Sequence, residues 1–155
     1  NRIPDAGIGV DVVAGFPGET NEDFWTTHNF IRELPISYLH VFTYSERPDT
    51  KAIQLYAKVD VQVRRERNNI LRILSDKKRN EFYTQMIGKK LDVLFEHENS
   101  KGLMKGFSSN YIRVSHSYNA DFANSILPVK ITGMGNTSCT GEIIDTKKSV
   151  DLIAC

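Results

Sequence analysis

The stretch Asp11-Val-Val-Ala-Gly-Phe-Pro-Gly-Glu-Thr20 decides how the chain is read. Ile8, Val10, Val12, Val13 and Ala14 form an almost unbroken apolar run, the pattern of a strand buried on both faces of a parallel sheet. Gly15 and Gly18 then bracket Phe16-Pro17. Glycine permits positive φ, and proline fixes its own φ and biases the residue before it to extended geometry, so the chain turns sharply after the strand. Thr20 can cap a following helix. Asp23 stands three residues on in capping-box position, and Glu19, Glu22 and Asp23 suit the positive end of the helix dipole. Such a junction is a candidate ligand edge, although in other α/β proteins it only turns the chain. It has neither the Lys-Ser/Thr of a phosphate loop nor the G-x-G-x-x-G spacing of a dinucleotide site.

Downstream, the spacing predicts a helix from Asn21 to about Leu34, with Phe24, His28, Ile31 and Leu34 near one face and Pro35 ending it. Its aromatic residues, Phe24, Trp25 and Phe30, are expected to pack rather than to stack on bases. A second strand, Tyr38 to Tyr44, completes a β-α-β unit, for which a right-handed crossover is expected. Gly15 and Tyr44 then lie on one sheet edge, where ligands of parallel α/β sheets bind. A buried parallel strand needs neighbours on both sides. The chain opens at Asn1 without methionine, so the rest of the sheet is expected to precede it.

Asp60 to Met86 reads as one long helix or two abutting ones, with Val63, Ile70, Leu71, Leu74, Phe82 and Met86 at helical spacing and Gly88 as the stop. Between Arg64 and Arg79 lie seven basic residues, Arg64, Arg65, Arg67, Arg72, Lys77, Lys78 and Arg79. A solvated helix face is the ordinary reading, and phosphate contact with counterion release the sharper one. After Gly88 the pattern changes to short strands, 91–96, 111–114, 127–132 and 141–144, with turn residues between them. Some five or six strands in this length predict a small all-β barrel, OB-like in kind.

The 155 residues (17.6 kDa) allow one ordinary core or two small ones. A formal charge of +1 gives no global basic field, so any RNA affinity has to be local. No apolar run approaches the roughly 18 residues of a membrane span, and no charged-then-apolar leader is visible, so no membrane partner and a cytoplasmic location are expected. Cys139 and Cys155 lack a C-x-x-C partner, and His28, His40, His97 and His116 are scattered, so no metal site is predicted.

Two resemblances refine this reading. Gly15-Phe-Pro-Gly-Glu-Thr20, with Asp11-Val-Val ahead and Asn21-Glu-Asp-Phe24 behind, resembles the fifth strand and loop of radical S-adenosylmethionine methylthiotransferases. Leu39-His-Val-Phe-Thr-Tyr-Ser-Glu-Arg-Pro-Asp-Thr-Lys-Ala52 is similar to that family's next strand and its Tyr-Ser-x-Arg-x-Gly-Thr-x-Ala segment. Asp49 stands where the family usually has glycine, and aspartate tolerates left-handed geometry better than most residues. Gly88 to Glu96 and Lys105 to Val114 resemble the TRAM domain, a β-barrel RNA-binding module.

The resemblance implies an α/β fold, the C-terminal part of a partial β/α barrel, over residues 1–86, and a TRAM domain over 87–155. It implies S-adenosylmethionine contacts at Val13, Gly15 and Pro17 and at the backbone of Val41, Phe42 and Thr43. It implies RNA contacts at Phe107, Asn110, Tyr111 and Arg113, residue types that stack, hydrogen-bond and pair with phosphate. From the residues alone, Phe107 and Tyr111 could instead fill the barrel. The implied parent adds a methylthio group to C2 of N6-threonylcarbamoyladenosine 37 in the tRNA anticodon stem-loop, using S-adenosylmethionine and two [4Fe-4S] clusters. The chain has no C-x-x-x-C-x-x-C run, so no catalytic residue or metal ligand is assigned, and the chain alone is expected to be inactive. The alternatives are the isopentenyladenosine branch, a different radical enzyme, or an RNA-binding module without chemistry.

Overall fold

The computed structural model describes residue 3 and residues 5–55, 57–97 and 101–144. It divides into two compact units, Ile8–Glu81 and the first seven residues together with the chain from Phe82 onward.

In the first of these, β1 (Gly9–Ala14) and β2 (Tyr38–Thr43) pair in parallel from Gly9 opposite Tyr38 to Ala14 opposite Thr43. Between them runs α1 (Asn21–Glu33), and after them α2 (Val61–Gln85). The Thr20 cap forms with both bonds of the capping box, 3.1 Å from the Asp23 N–H and 3.0 Å from the Thr20 N–H to the Asp23 carboxylate. Asp49 takes φ 63°, the left-handed geometry foreseen for it.

Two expectations need correction. β1 is not buried on both faces: Ala14 is buried and Val10 and Val12 partly so, in one cluster with Phe24, Ile31, Leu39, Leu71 and Leu74, while Gly9 and Val13 are exposed. Within this unit both helices contribute to the core on the same sheet face, which leaves the other face uncovered. Trp25 and Phe30 stay outside the core, at 49% and 63% exposed, although the Trp25 ring meets Phe24 and His28 edge-on. Only Phe24 and Ile31 of α1 are buried, so the buried stripe is narrower than its aromatic content implied.

The buried face of α2 is chemically mixed. Leu71 and Leu74 fill its middle, and Ser75 closes the outer edge of β2, accepting from the Leu39 N–H at 2.8 Å and donating to the Leu39 carbonyl at 3.0 Å. Three of the seven basic residues, Arg64, Arg67 and Lys78, are buried rather than solvated, so neither reading of the basic run holds for them. Lys78 donates to the Arg32 and Leu34 carbonyls at 2.9 and 2.8 Å. These lie at the C-terminal end of α1, where the helix dipole favours a cation, although burial lowers the ammonium pKa. Arg64 forks onto Glu46, 2.7 Å from Oε1 and 3.1 Å from Oε2.

The second unit holds β3 (Lys90–Phe95), β4 (Leu103–Ser108), β5 (Arg113–Ser117), β6 (Ile126–Met134) and β7 (Cys139–Ile143), closed in the order β3-β4-β5-β7-β6. All neighbours are antiparallel except β5 and β7. The barrel is the one foreseen, with two local differences. β4 was not foreseen as a strand of its own, and the strand expected from Tyr111 starts only at Arg113. Tyr111 has φ 64° and donates its N–H to the Ser108 carbonyl, which makes it a turn residue. Inside lie Val93, Phe95, Met104, Ile112, Val114, Leu127, Val129, Ile131 and Cys139, joined by Phe82, Tyr83 and Met86. The Cys139 thiol is fully buried, and burial pushes its pKa up to about 11. Cys155 lies outside the described residues.

The Arg64–Glu46 pair carries a pH dependence. Hydrogen bonds from Arg64 hold the Glu46 carboxyl at about 2 instead of 4.5, so the folded state takes up the proton less readily than the unfolded one. Its contribution is complete above 4.5 and is lost as pH falls toward about 2. Glu46→Gln, whose amide does not titrate, is expected to flatten that part of the acid-unfolding curve. Fluorescence of Trp25, the single tryptophan, follows the transition, and a curve identical to wild type would refute the assignment.

Candidate cofactor edge and candidate nucleic-acid interface

The loop after β1 is held from within. The Glu19 Oε2 accepts from the Gly15 N–H at 2.9 Å and from Arg67 at 2.6 Å, and Arg67 also donates to the Glu19 carbonyl at 3.0 Å and to the Asn21 Oδ1 at 2.8 Å. Arg64 donates to the Val59 carbonyl at 2.7 Å and the Tyr44 carbonyl at 3.2 Å, and its guanidinium lies 5.3 Å from the Tyr44 ring centroid. Phe16 meets the same ring edge-on at 5.3 Å. Gly15 has φ 80°, and a Cβ there would stand 2.3 Å from the Arg64 Cγ. The glycine is therefore required both by the turn and by the arginine stem packed against it.

The residues implied as cofactor contacts fall into two groups. Gly15 and Pro17 are buried, and the Gly15 N–H is already engaged with Glu19. Val13 and Phe42 are paired across the two strands and stand exposed at 49% and 54%, an apolar couple on the uncovered sheet face. Val41 is half-buried, with its carbonyl 3.4 Å from the Asn68 amide, and Thr43 is exposed. Close by in sequence, the Tyr44 hydroxyl is buried without a hydrogen-bond partner among the described residues. The sequence reading missed Glu19, Arg64 and Arg67 as the fasteners of this edge. Their signal was the spacing of Arg64 and Arg67 with Leu71 and Leu74, which puts two cations on the apolar stripe of α2.

On the barrel, the four implied RNA residues separate by role. Phe107 and Tyr111 do not fill the interior; they are 37% and 65% exposed. Strand register lines up Ile126, Leu94, Phe107 and Arg113 across β6, β3, β4 and β5. All point away from the core, because β3 alternates Val93 and Phe95 inward with Leu94 outward. The Arg113 guanidinium lies 5.2 Å from the Phe107 centroid. Asn110 is occupied internally: its amide donates to the Asp5 carbonyl at 2.9 Å, and its Oδ1 accepts from the Ser108 hydroxyl at 2.6 Å.

Leu94, Phe107, Tyr111 and Ile126, with Asp92 and Glu96, line a groove of about 470 Å³. Further along the outer face, Lys90 and Lys130 stand directly opposite each other, both exposed. Glu142 faces Lys130 from the next strand. A like-charge cross-strand pair is unfavourable by itself and eased by an anion. Leu94, Ile126, Lys90 and Lys130 escaped the sequence reading because only strand register brings them beside Phe107. Among the described residues, no three His, Cys, Asp or Glu side chains gather as metal ligands, and no helix is long and apolar enough to cross a membrane.

The fold thus defines a protein of two units, a parallel α/β unit and a closed five-stranded barrel with aromatic residues outside. Comparison with known proteins narrows the class. The chain is 44% identical over 111 residues, 72% of its length, to the threonylcarbamoyladenosine tRNA methylthiotransferase MtaB of Aquifex aeolicus, and 34% identical over 92% of its length to MtaB of Bacillus subtilis. It is 31% identical over 92% of its length to the tRNA-2-methylthio-N(6)-dimethylallyladenosine synthase of Endomicrobium trichonymphae. No family profile matches it. The chain belongs to the tRNA methylthiotransferase family. It spans 26% to 34% of the length of these three relatives.

The Gly15 contact yields a direct test. Gly15→Ala is expected to destabilise the Ile8–Glu81 unit by about 1–3 kcal/mol, through overpacking against Arg64 on top of the φ penalty. Urea unfolding followed at Trp25 measures it, and an unchanged midpoint would contradict the packing.

Proposed function

We propose that the chain is the C-terminal part of an enzyme that adds a methylthio group to C2 of N6-threonylcarbamoyladenosine 37 in tRNA by radical S-adenosylmethionine chemistry. Residues 1–86 are then the closing part of the radical S-adenosylmethionine barrel, and residues 87–155 a TRAM domain that grips the anticodon stem-loop. The observation that carries the RNA reading is the outer barrel face, where Phe107 and Tyr111 stand exposed beside Arg113, with the Lys90–Lys130 pair on the same surface. Exposed aromatics stack on bases and cations meet phosphates. Support for the threonylcarbamoyladenosine branch comes from the 44% identity over 111 residues to one MtaB, whereas over 146 residues an MtaB and a dimethylallyladenosine synthase stand at 34% and 33%.

For S-adenosylmethionine, the residues present fit. Val13 and Phe42 offer an exposed apolar surface to an adenine, the backbone of Val41 to Thr43 runs beside it, and directly after this strand the buried Tyr44 hydroxyl is without a partner among the described residues. When bound, the cofactor supplies the methyl group and the radical. The task of this chain's residues is to hold that surface rigid, and the Glu19–Arg67 and Glu46–Arg64 pairs do so by pinning the loops that follow both strands. For [4Fe-4S] clusters the donor set does not fit, since Cys139 is sealed inside the barrel and the cysteine triplet is lacking. The chemistry itself is therefore assigned to the remainder of the enzyme.

Nucleoside analysis by mass spectrometry of tRNA from cells lacking the full-length gene tests the reaction. The methylthio form of threonylcarbamoyladenosine is expected to vanish while its precursor accumulates. Loss from the isopentenyl nucleoside instead would move the enzyme to the other branch, and no change in any tRNA nucleoside would reject the RNA substrate. For the grip, Phe107→Ala is expected to weaken tRNA binding roughly tenfold, in line with about 1–3 kcal/mol per stacked base. Lys90→Ala with Lys130→Ala is expected to lower the salt slope by about one to two. Wild-type binding in both variants, measured by fluorescence anisotropy, would remove this face from the interface.

A further inference from the structure

We infer that the groove between Phe107 and Tyr111 takes an unstacked nucleobase that presents an amino group, adenine, cytosine or guanine in preference to uracil. This rests on the RNA reading and specifies what part of the RNA the groove accepts. Its floor is apolar, with Leu94 and Ile126 49% and 59% exposed beside Phe107, which suits a base and not a phosphate. Its charged groups are the carboxylates of Asp92 and Glu96, which share the lining with Ser108, Ser109 and Tyr111, and among the described residues neither carboxylate has an ion pair or hydrogen bond.

Two carboxylates at the edge of an aromatic slot repel phosphate and accept N–H donors. The exocyclic amino groups of adenine, cytosine and guanine donate to a carboxylate, whereas uracil turns two carbonyls and a single N–H toward it. The phosphates are attracted elsewhere on the same face. Lys90 and Lys130 form the row next to Asp92 and Pro128, two residues or about 7 Å along β3, close to the reach of one nucleotide. Tyr111 bounds the groove on one side and also lines a second one of about 390 Å³, shared with Ala6, Leu91 and Ser109. Tyr111 and Ser109 thus line both grooves, an arrangement that suits two successive unstacked bases.

The test uses the chain of residues 1–155 with fluorescently labelled single-stranded heptamers of adenosine, cytidine or uridine, alongside folded tRNA. The adenosine and cytidine heptamers are expected to bind about tenfold more tightly than the uridine heptamer, the discrimination of one good base contact. Asp92→Ala with Glu96→Ala is expected to remove that preference while leaving uridine binding equal or stronger, because a repulsive charge has gone. Lys90→Ala with Lys130→Ala is expected to weaken all three alike and keep their ratio. Equal binding of the three heptamers by wild type, or a preference that survives loss of both carboxylates, would overturn the inference while tRNA binding stood. Absence of binding to tRNA and to every heptamer would overturn the RNA reading and this inference with it.

Discussion

The α/β unit depends on how a long helix buries charge. α2 places Leu71 and Leu74 against the sheet, but its grip comes from Arg64 and Arg67 toward one end and Lys78 toward the other. The three cations are satisfied by two acidic side chains, loop carbonyls, and the last carbonyls of α1. A buried charge is tolerable only when paired and fully hydrogen-bonded, so these contacts bind the helix to one register on the sheet. Shifting α2 by one turn would strand several charges at once. The loop that follows β1 inherits this constraint, since Glu19 links the Gly15 backbone to Arg67.

That constraint explains why the edge is rigid while the sheet face is open. Val13 and Phe42 are left exposed by the absence of any covering element within the unit, yet the loops at their C-terminal ends are fastened. A preformed apolar surface beside fixed loops favours ligand binding, because little ordering entropy remains to be lost. Under the proposed function, S-adenosylmethionine is the ligand this surface would take. Gly15 and Pro17 are buried and shape the loop after β1.

The barrel separates its tasks by strand alternation. Inward positions are mostly aliphatic, aromatic or sulfur-bearing and buried, with Gly106 and Ser108 among them, and they form the core of the unit. Outward positions on β3, β4 and β6 carry Lys90, Asp92, Leu94, Phe107, Ile126 and Lys130, a graded surface from cationic to apolar. The core and the outer surface therefore use different side chains of the same strands. Asn110 is the exception among the residues implied as RNA contacts, since its amide ties the chain near Asp5 to the turn at Ser108.

Much was determined by the amino-acid sequence alone. The capped start of α1, the parallel pairing of two strands, the turn at Asp49, the stop at Gly88 and the β-barrel all follow from local rules: capping chemistry, periodicity and the φ preferences of particular residues. The motifs Gly15 to Thr20 and Lys105 to Val114 likewise pointed to the family that the comparisons show. Tertiary structure alone decided which charges are buried, which aromatics are exposed, and which residues stand beside one another across strands. Spacing places Arg64 on the apolar stripe of α2 and Arg72 off it, but only packing sets the Arg64 stem under Gly15. Leu94, Phe107 and Ile126 are far apart along the chain, and hydrogen-bonded register alone makes them one surface. Local propensity acts over a few residues, whereas burial and register are properties of contacts between distant segments, which no single stretch encodes.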